Sequence, residues 1–523
     1  MYEFKRMPVL LLSIIVCALL VSCTTEGETD SYIGGEYTYD YYANDAAPDT
    51  TESNGYIITP EVTHAPFTGI PGQRHNFIWH GGREGAWEVD IVRFAESVLG
   101  NHPFFVGMDF LHANNRVAGR ASEDYYYYVF NMLLQRAAVR NGIFTDDADE
   151  IKQALRELFI DRINLLIKDI PNRNDFEIKY GLGEITVLLD DMHTHIFGDF
   201  PPQGQVFPVQ ILSLYHGVYF IGVPKEIEHT LYGELIAINN IDINEVIERL
   251  ATVISHESEY FLRQAALPLF LMTKELLEYI DVVGDYGMVD FTVRGTTGEI
   301  FYARLWATDR DSFNNMCDTE FVRHESDILA NIMWLMYAGE DRENIEFFWY
   351  DYLAQDNMLY VRISSFTESA ATRETIRALT ERLRDWPRDE KIEKLIIDLR
   401  QNQGGTIDWP SIPDIPLLSE IVGAVYVLID GASASRSVLV ASNLRYYMEN
   451  VIIVGESSGQ QENFFSGITL SMPNSGFRYR VSGAMHVQSR SYDVALRPDI
   501  FTPLTINDVI NNRDPVLEYV WAR

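Results

Sequence analysis

Two short stretches of this 523-residue chain hold side chains that could make or break a covalent bond. The first is Ser433-Ala434-Ser435, which follows an apolar run of strand length at residues 425–429. After it, Val438, Leu439, Ser442 and Leu444 fall on one helical face. A serine at such a strand-to-helix junction has free backbone N–H groups and the positive end of a helix beside its hydroxyl. That setting suits a nucleophile, whose attack builds negative charge. It suits a helix cap equally well, the plainer use of Ser433 and Ser435. The second stretch is His193-Thr194-His195. Alternate residues of a strand share a face, so the two imidazoles could be metal ligands, although spacing names no third.

Both stretches need elements to hold them. Residues 395–397 and 425–429 are continuously apolar, as parallel strands covered on both faces require. A strand at 358–363 and a helix at 371–386 lead into the first of these, giving an α/β arrangement. Upstream, residues 89–99, 124–140 and 148–170 repeat apolar side chains at three- and four-residue steps, with Pro171 as a stop. Residues 176–189 continue with mixed periodicity. Two strands turning at His216-Gly217 are expected over 207–223, then a strand, turn and helix over 233–250. A helix over 257–280 and a hairpin of 288–293 with 300–306 follow. Residues 308–342 are polar and ambiguous.

The N-terminus carries a different message. Lys5 and Arg6 precede an apolar run from 9 to 21, short for a spanning helix, that ends in Leu20-Val21-Ser22-Cys23. This resembles a bacterial lipoprotein cleavage box, in which Cys23 becomes the lipid-bearing first residue. An uncleaved anchor is the alternative, and either one puts the protein outside the cytoplasm. With Cys17 in the signal and Cys23 lipidated, only Cys317 of the three cysteines remains, so stability rests on the core. Residues 24–72 show no periodicity and read as a disordered tether. The formal charge of −35 disfavours nucleic acid or anionic lipid as a partner.

The order of motifs adds a family resemblance. Asp398-Leu399-Arg400-Gln401-Asn402-Gln403-Gly404-Gly405 resembles the DLRxNxGG motif of the tail-specific (C-terminal processing) and tricorn-core serine peptidases. Ser433-Ala434-Ser435 resembles their nucleophile turn, and Val454-Gly455-Glu456-Ser457-Ser458-Gly459 their VGExTGG loop. Met472-Pro473-Asn474-Ser475-Gly476, Leu496-Arg497-Pro498-Asp499-Ile500 and Asp514-Pro515-Val516-Leu517-Glu518 are similar to the closing segments of bacterial members.

The resemblance implies Ser435 as nucleophile, with Gly404, Gly405 and the N–H of Arg436 receiving the oxyanion. Tail-specific members draw their base from a Lys in the 454–461 loop, where this chain has Gln460-Gln461. Gln cannot accept a proton at a useful pH, so Gln460 reads as dispensable. The tricorn-like branch uses an upstream His in a context like Asp191-Met192-His193-Thr194, which implies His193 as base, with His195 the alternative. Its acid partner would be Asp493, then Asp499; Asp398 reads as structural. Val438 stands where the family often has Glu. Residues 233–250 resemble the end of a PDZ-like module, without the preceding carboxylate-binding loop.

The expected organisation is a lipoprotein signal at 1–22, a tether at 23–75, a helical N-terminal domain at 76–200, a β-rich PDZ-like module at 201–310 and a crotonase-like catalytic domain at 340–523. The expected activity is extracytoplasmic peptide hydrolysis without cofactor or metal. The rival expectation is an inactive relative that binds polypeptides at the cell surface.

Overall fold

The computed structural model describes residues 82–119, 122–196, 204–284, 286–323, 347–489 and 493–523. The expected signal, Cys23 and the tether lie outside them. All described residues belong to the unit Thr63–Arg523.

Helices α1 (Gly82–Asn101), α2 (Glu123–Arg140), α3 (Ala148–Asp169) and α4 (Asp175–Val187) form where the apolar steps place them. In α3, Ile151, Leu155, Phe159 and Ile163 make one buried stripe at four-residue spacing, and Asp147 caps the N–H groups of Asp149 and Glu150. A capping box of Asn174 and Glu177 starts α4. The mixed periodicity of α4 has a simple cause: it is enclosed. A methyl on Gly181 would lie 2.8 Å from Leu166, and one on Gly183 would lie 2.7 Å from the Val253 carbonyl oxygen. Among the described residues no helix is long and apolar enough to cross a membrane.

The next layer is an antiparallel sheet of β1 (Gln210–Leu214), β2 (Gly217–Pro224), β3 (Glu234–Ile238), β4 (Met288–Arg294) and β5 (Ile300–Trp306), in that spatial order. Two short strands, Ile241–Asp242 and Phe321–Arg323, pair with β3 and β2. Helix α5 (Ile243–Leu250) packs Val246, Ile247 and Leu250 into the same core. The single helix expected over 257–280 is instead broken into Glu259–Phe261, a π turn Leu262–Ala266, Leu267–Phe270 and Lys274–Tyr279. Pro268 has no N–H to give the carbonyl four residues back, and the widened turn before it absorbs that loss.

The C-terminal sheet carries β6 (Phe348–Leu353), β7 (Met358–Ile363), β8 (Ile392–Asp398), β9 (Val422–Ile429) and β10 (Val451–Gly455). A hairpin of β11 (Asn463–Ser471) and β12 (Arg478–Val487) follows, and then β13 (Ile500–Phe501). The sheet order is β13-β10-β9-β8-β7-β6, parallel except for β6. Helices α6 (Ala370–Arg384), α7 (Ile415–Ile421) and α8 (Arg436–Tyr447) connect β7 through β10. Leu395, Ile396, Ile397, Val425 and Val427 are fully buried, as the parallel-strand reading requires. Val438 is buried in this core.

The β11–β12 hairpin leaves that sheet and pairs with Val117–Gly119. Its Phe465, Tyr479, Val481 and Met485 share one hydrophobic core with α1, α2 and α3. Asp90 of α1 accepts the N–H groups of Asn474 and Ser475 at the hairpin turn, at 2.9 and 2.7 Å. The helical segment therefore completes its core with strands from the far end of the chain. Cys317 is buried and free.

Candidate active site

At the end of β9 the chain turns through Asp430-Gly431-Ala432-Ser433-Ala434-Ser435 into α8. The Asp430 carboxylate accepts the N–H groups of Gln401 at 2.9 Å and Ala432 at 3.0 Å. Ser433 Oγ donates to the Leu399 carbonyl at 2.8 Å and accepts the Asp430 N–H at 3.0 Å. Its hydroxyl therefore holds the turn together. Ser435 differs: its backbone stands at φ 54°, ψ −117°, a sparsely populated region for a residue with a Cβ. That conformation lifts its side chain out of the path from strand to helix.

The loop after β8 closes against it. Asn402 pins the loop from both ends, its Nδ2 donating to the Ile363 carbonyl and its Oδ1 accepting the Gly404 N–H, each at 2.8 Å. The Asn402 carbonyl accepts the Ala434 N–H and the Ser437 hydroxyl at 3.0 and 2.7 Å. Gly404 and Gly405 have φ of 101° and 139°. A methyl on Gly404 would lie 2.6 Å from Ser435 Cβ, and one on Gly405 would lie 2.4 Å from the Phe366 carbonyl oxygen. Only glycine fits at either position. The Gly404 N–H is spent on Asn402, whereas those of Gly405 and Arg436 make no hydrogen bond among the described residues. Beneath the loop, Asp398 binds Tyr360, Arg362 and Arg400, and Arg400 reaches on to Asp514 at 2.8 Å. Asp398 thus has the structural place expected for it.

His193 arrives on the loop after α4. Its Nε2 lies 3.2 Å from Ser435 Oγ, 242 residues away in sequence. The ring stacks on Phe464 with centroids 5.6 Å apart. Asp191 shapes this loop by accepting the His193 N–H at 2.9 Å and the Thr194 hydroxyl at 2.7 Å. Burial alone would raise the Asp191 pKa, but His102 Nε2 at 3.3 Å and the nearby His193 hold its carboxyl well below the carboxylate range. Burial, helped by the charge of Arg480, pushes His193 well below the ordinary imidazole value. His195 pairs with Arg480 through both backbone groups, and burial lowers its pKa to about 4.

The other ring nitrogen of His193 faces a residue that the sequence marked as dispensable. Gln460 Nε2 lies 3.2 Å from His193 Nδ1 and donates to Glu257 Oε1 at 3.0 Å. Gln460 Oε1 accepts the N–H of Ser435 at 2.7 Å. Gln460 and Glu257 are both buried, and burial raises the Glu257 pKa to about 8. Two arginines of α2 bind the flanking loops: Arg136 bonds Asp190 and reaches Gln461 Oε1 at 3.0 Å, while Arg140 bonds Asp190 and the His256 carbonyl at 3.3 Å. Gln264, in the π turn, accepts the Gly431 N–H at 2.8 Å and bonds Glu456.

Ser435, His193, Gly404, Gly405 and Arg436 are thus brought together. The two carboxylates proposed from sequence are elsewhere. Asp493 pairs with Arg497 at 2.9 Å; Asp499 accepts the Ile453 N–H at 2.8 Å and pairs with Arg445 at 3.2 Å. The carboxylates around His193 are Asp191 and Glu257, and one potential ligand atom from each of the three falls within a 4.8 Å group. The Gln460 N–H sits against both His193 Nδ1 and Glu257, and a donor there opposes a cation. His195 is not in that group. Nothing in the local sequence marks Glu257 or Arg136. Gln460 could have been found only by asking what replaces a missing lysine.

Residues 357–409, which span β7, α6, β8 and the Gly-Gly loop, match the family model of Peptidase family S41. No curated protein matches the chain. Among solved structures, mature CPAF is similar with 11% identity, covering 74% of this chain and 95% of its own, at a TM-score of 0.44. The photosystem II D1 C-terminal processing protease is similar with 13% identity, covering 75% and 96%, at a TM-score of 0.33. Such superpositions carry no residue correspondence. The family match falls on the segment that supplies Gly404 and Gly405, and with the mixed α/β fold it supports an S41-type serine peptidase.

Proposed function

We propose that the chain hydrolyses peptide bonds through an acyl-enzyme on Ser435, with His193 as the base, in the manner of the tricorn-like branch. The observation that carries this is the 3.2 Å approach of His193 Nε2 to a serine held at positive φ beside open N–H groups. Ser435 Oγ attacks the scissile carbonyl and passes its proton to His193. The N–H groups of Gly405 and Arg436 receive the oxyanion, and His193 then protonates the leaving amine. Water repeats the sequence on the acyl ester. Polypeptides are the substrate class. In this reading the C-terminal sheet is crotonase-like, the middle sheet is PDZ-like, and Cys23 carries lipid that anchors the protein outside the cytoplasm.

A fluorophosphonate probe tests the chemistry, since it labels only an activated serine. Labelling should vanish in Ser435→Ala and persist in Ser433→Ala; the reverse pattern would move the nucleophile by two residues. Edman or mass analysis of the mature N-terminus tests the anchor, and a start well downstream of Cys23 sinks it. One observation favours the rival reading of an inactive polypeptide binder: the Gln460 amide, where a working His base would meet an acceptor.

A further inference from the structure

Each hydrogen-bonding atom of the Gln460 amide has a neighbour that fixes its identity. The Ser435 backbone N–H can only donate, so the Gln460 atom 2.7 Å from it is the amide oxygen. The nitrogen end then gives one N–H to Glu257 Oε1 at 3.0 Å and directs the other at His193 Nδ1, 3.2 Å away. Turning the amide over would set a donor against the Ser435 N–H. A ring nitrogen that receives an N–H must offer its lone pair, so the His193 proton sits on Nε2, pointing at Ser435 Oγ.

We propose that Gln460 is a positioning residue that fixes His193 in the Nε2–H tautomer and so holds the candidate peptidase site in a latent form. The inference rests on the peptidase reading above and deepens it. A base must present its lone pair at Nε2, and the imidazolium formed during attack must carry N–H on both nitrogens. The Gln460 N–H at Nδ1 opposes both. The neighbouring Gln461 is held by Arg136, which keeps the loop from sliding away. The charged and titratable groups facing His193 from the surrounding elements are Asp191, Glu257, Arg480, His195 and His486. None of them accepts a hydrogen bond from Nδ1 in this arrangement.

The structure also indicates how the block would be lifted. Gln460→Glu has the same length, keeps one oxygen for the Ser435 N–H and turns the other into an acceptor for Nδ1–H. Glu257, whose burial keeps its proton to about pH 8, can donate to the introduced carboxylate instead of repelling it. Exchanging a triad carboxylate for an amide costs a serine protease about 10⁴ in turnover by imposing the wrong tautomer. The reverse exchange should recover part of that factor.

The test compares full-length wild type with Gln460→Glu. Imidazole ¹⁵N shifts, assigned with His193→Gln, read the tautomer directly; probe labelling of Ser435 and the pH profile of peptide hydrolysis read the consequence. Wild type should show Nδ1 unprotonated. The variant should move the proton to Nδ1, label at least about tenfold faster and shift its acid limb to higher pH, because a carboxylate favours the imidazolium. A protonated Nδ1 in neutral wild-type His193 overturns the proposal, even if the variant fails to fold. So does a variant whose labelling of Ser435 is no faster. If the ¹⁵N signature changes as expected while neither protein labels, the tautomer assignment stands and the peptidase reading fails.

Discussion

The two sides of the His193–Ser435 pair are built differently. The nucleophile side is local and redundant: β8, β9 and α8 deliver it from the single stretch 392–447, and Asp430, Asn402, Ser433 and two glycines fix its backbone. The base side is assembled from four distant segments: His193, Glu257 and Gln460 meet in one buried network, and the half-buried Arg136 bonds the adjacent Gln461. A turn dictated by backbone leaves a motif in the sequence. A network of single side chains leaves almost none.

If that contrast is right, damage on the nucleophile side should be the larger. Ser435→Ala should abolish probe labelling, and His193→Ala should approach it, with the double variant little worse than either, because the two act as a unit. Full additivity in that cycle would mean they do not work together. Gly405→Ala should come next. Its methyl would meet the Phe366 carbonyl oxygen at 2.4 Å, displacing an oxyanion donor and costing about 10²–10³ in kcat. Normal turnover in that variant would remove Gly405 from the oxyanion site.

On the base side, Arg136→Ala frees Gln461 and with it the loop that holds Gln460 against His193, so labelling of Ser435 should rise, by less than in Gln460→Glu. A loss as deep as that of Ser435→Ala would erase the distinction between the two sides. The pH profile sharpens it further. A His base works when neutral, and burial with Arg480 lowers the His193 pKa. The acid limb of kcat/KM should therefore fall below the ordinary imidazole value of about 6.5, whereas an unperturbed His would give a limb near it.

The same contrast explains what could be read from the chain. The parallel strands, α8 and the Gly-Gly loop were legible because each obeys a local rule: buried runs for strands, a period change after Gly431, glycine where a Cβ would collide. His193 was legible through its motif context alone. Asp493 was favoured as the acid by its position near the closing segment, but its carboxylate pairs with Arg497. Glu257 was hidden inside an expected helix that begins only at Glu259, behind the Ser258 cap. Gln460 was discounted for what it cannot do, accept a proton, although what it can do is donate hydrogen bonds.

The smallest expected effect separates Glu257 from Asp493 as a buried and an exposed carboxyl. Folded Glu257 keeps its proton to about pH 8, while in the unfolded chain a Glu releases it near about 4.3. Between those values the native state binds more protons, so this group's contribution to stability falls as pH rises and levels off above about 8. Glu257→Gln keeps an oxygen for the Gln460 N–H and removes the titration. Its Tm relative to wild type should therefore climb steadily from pH 5 to pH 8. Asp493→Asn weakens a half-exposed pair with Arg497, worth about 0.5 kcal/mol or less once solvent screening is allowed for. Its Tm at pH 7 should lie close to that of wild type. A pH-independent Tm difference for Glu257→Gln would show that Glu257 is ionised beside His193 at neutral pH. The base side would then carry a buried negative charge, held by the N–H groups of Gln460 and Met192, beside His193.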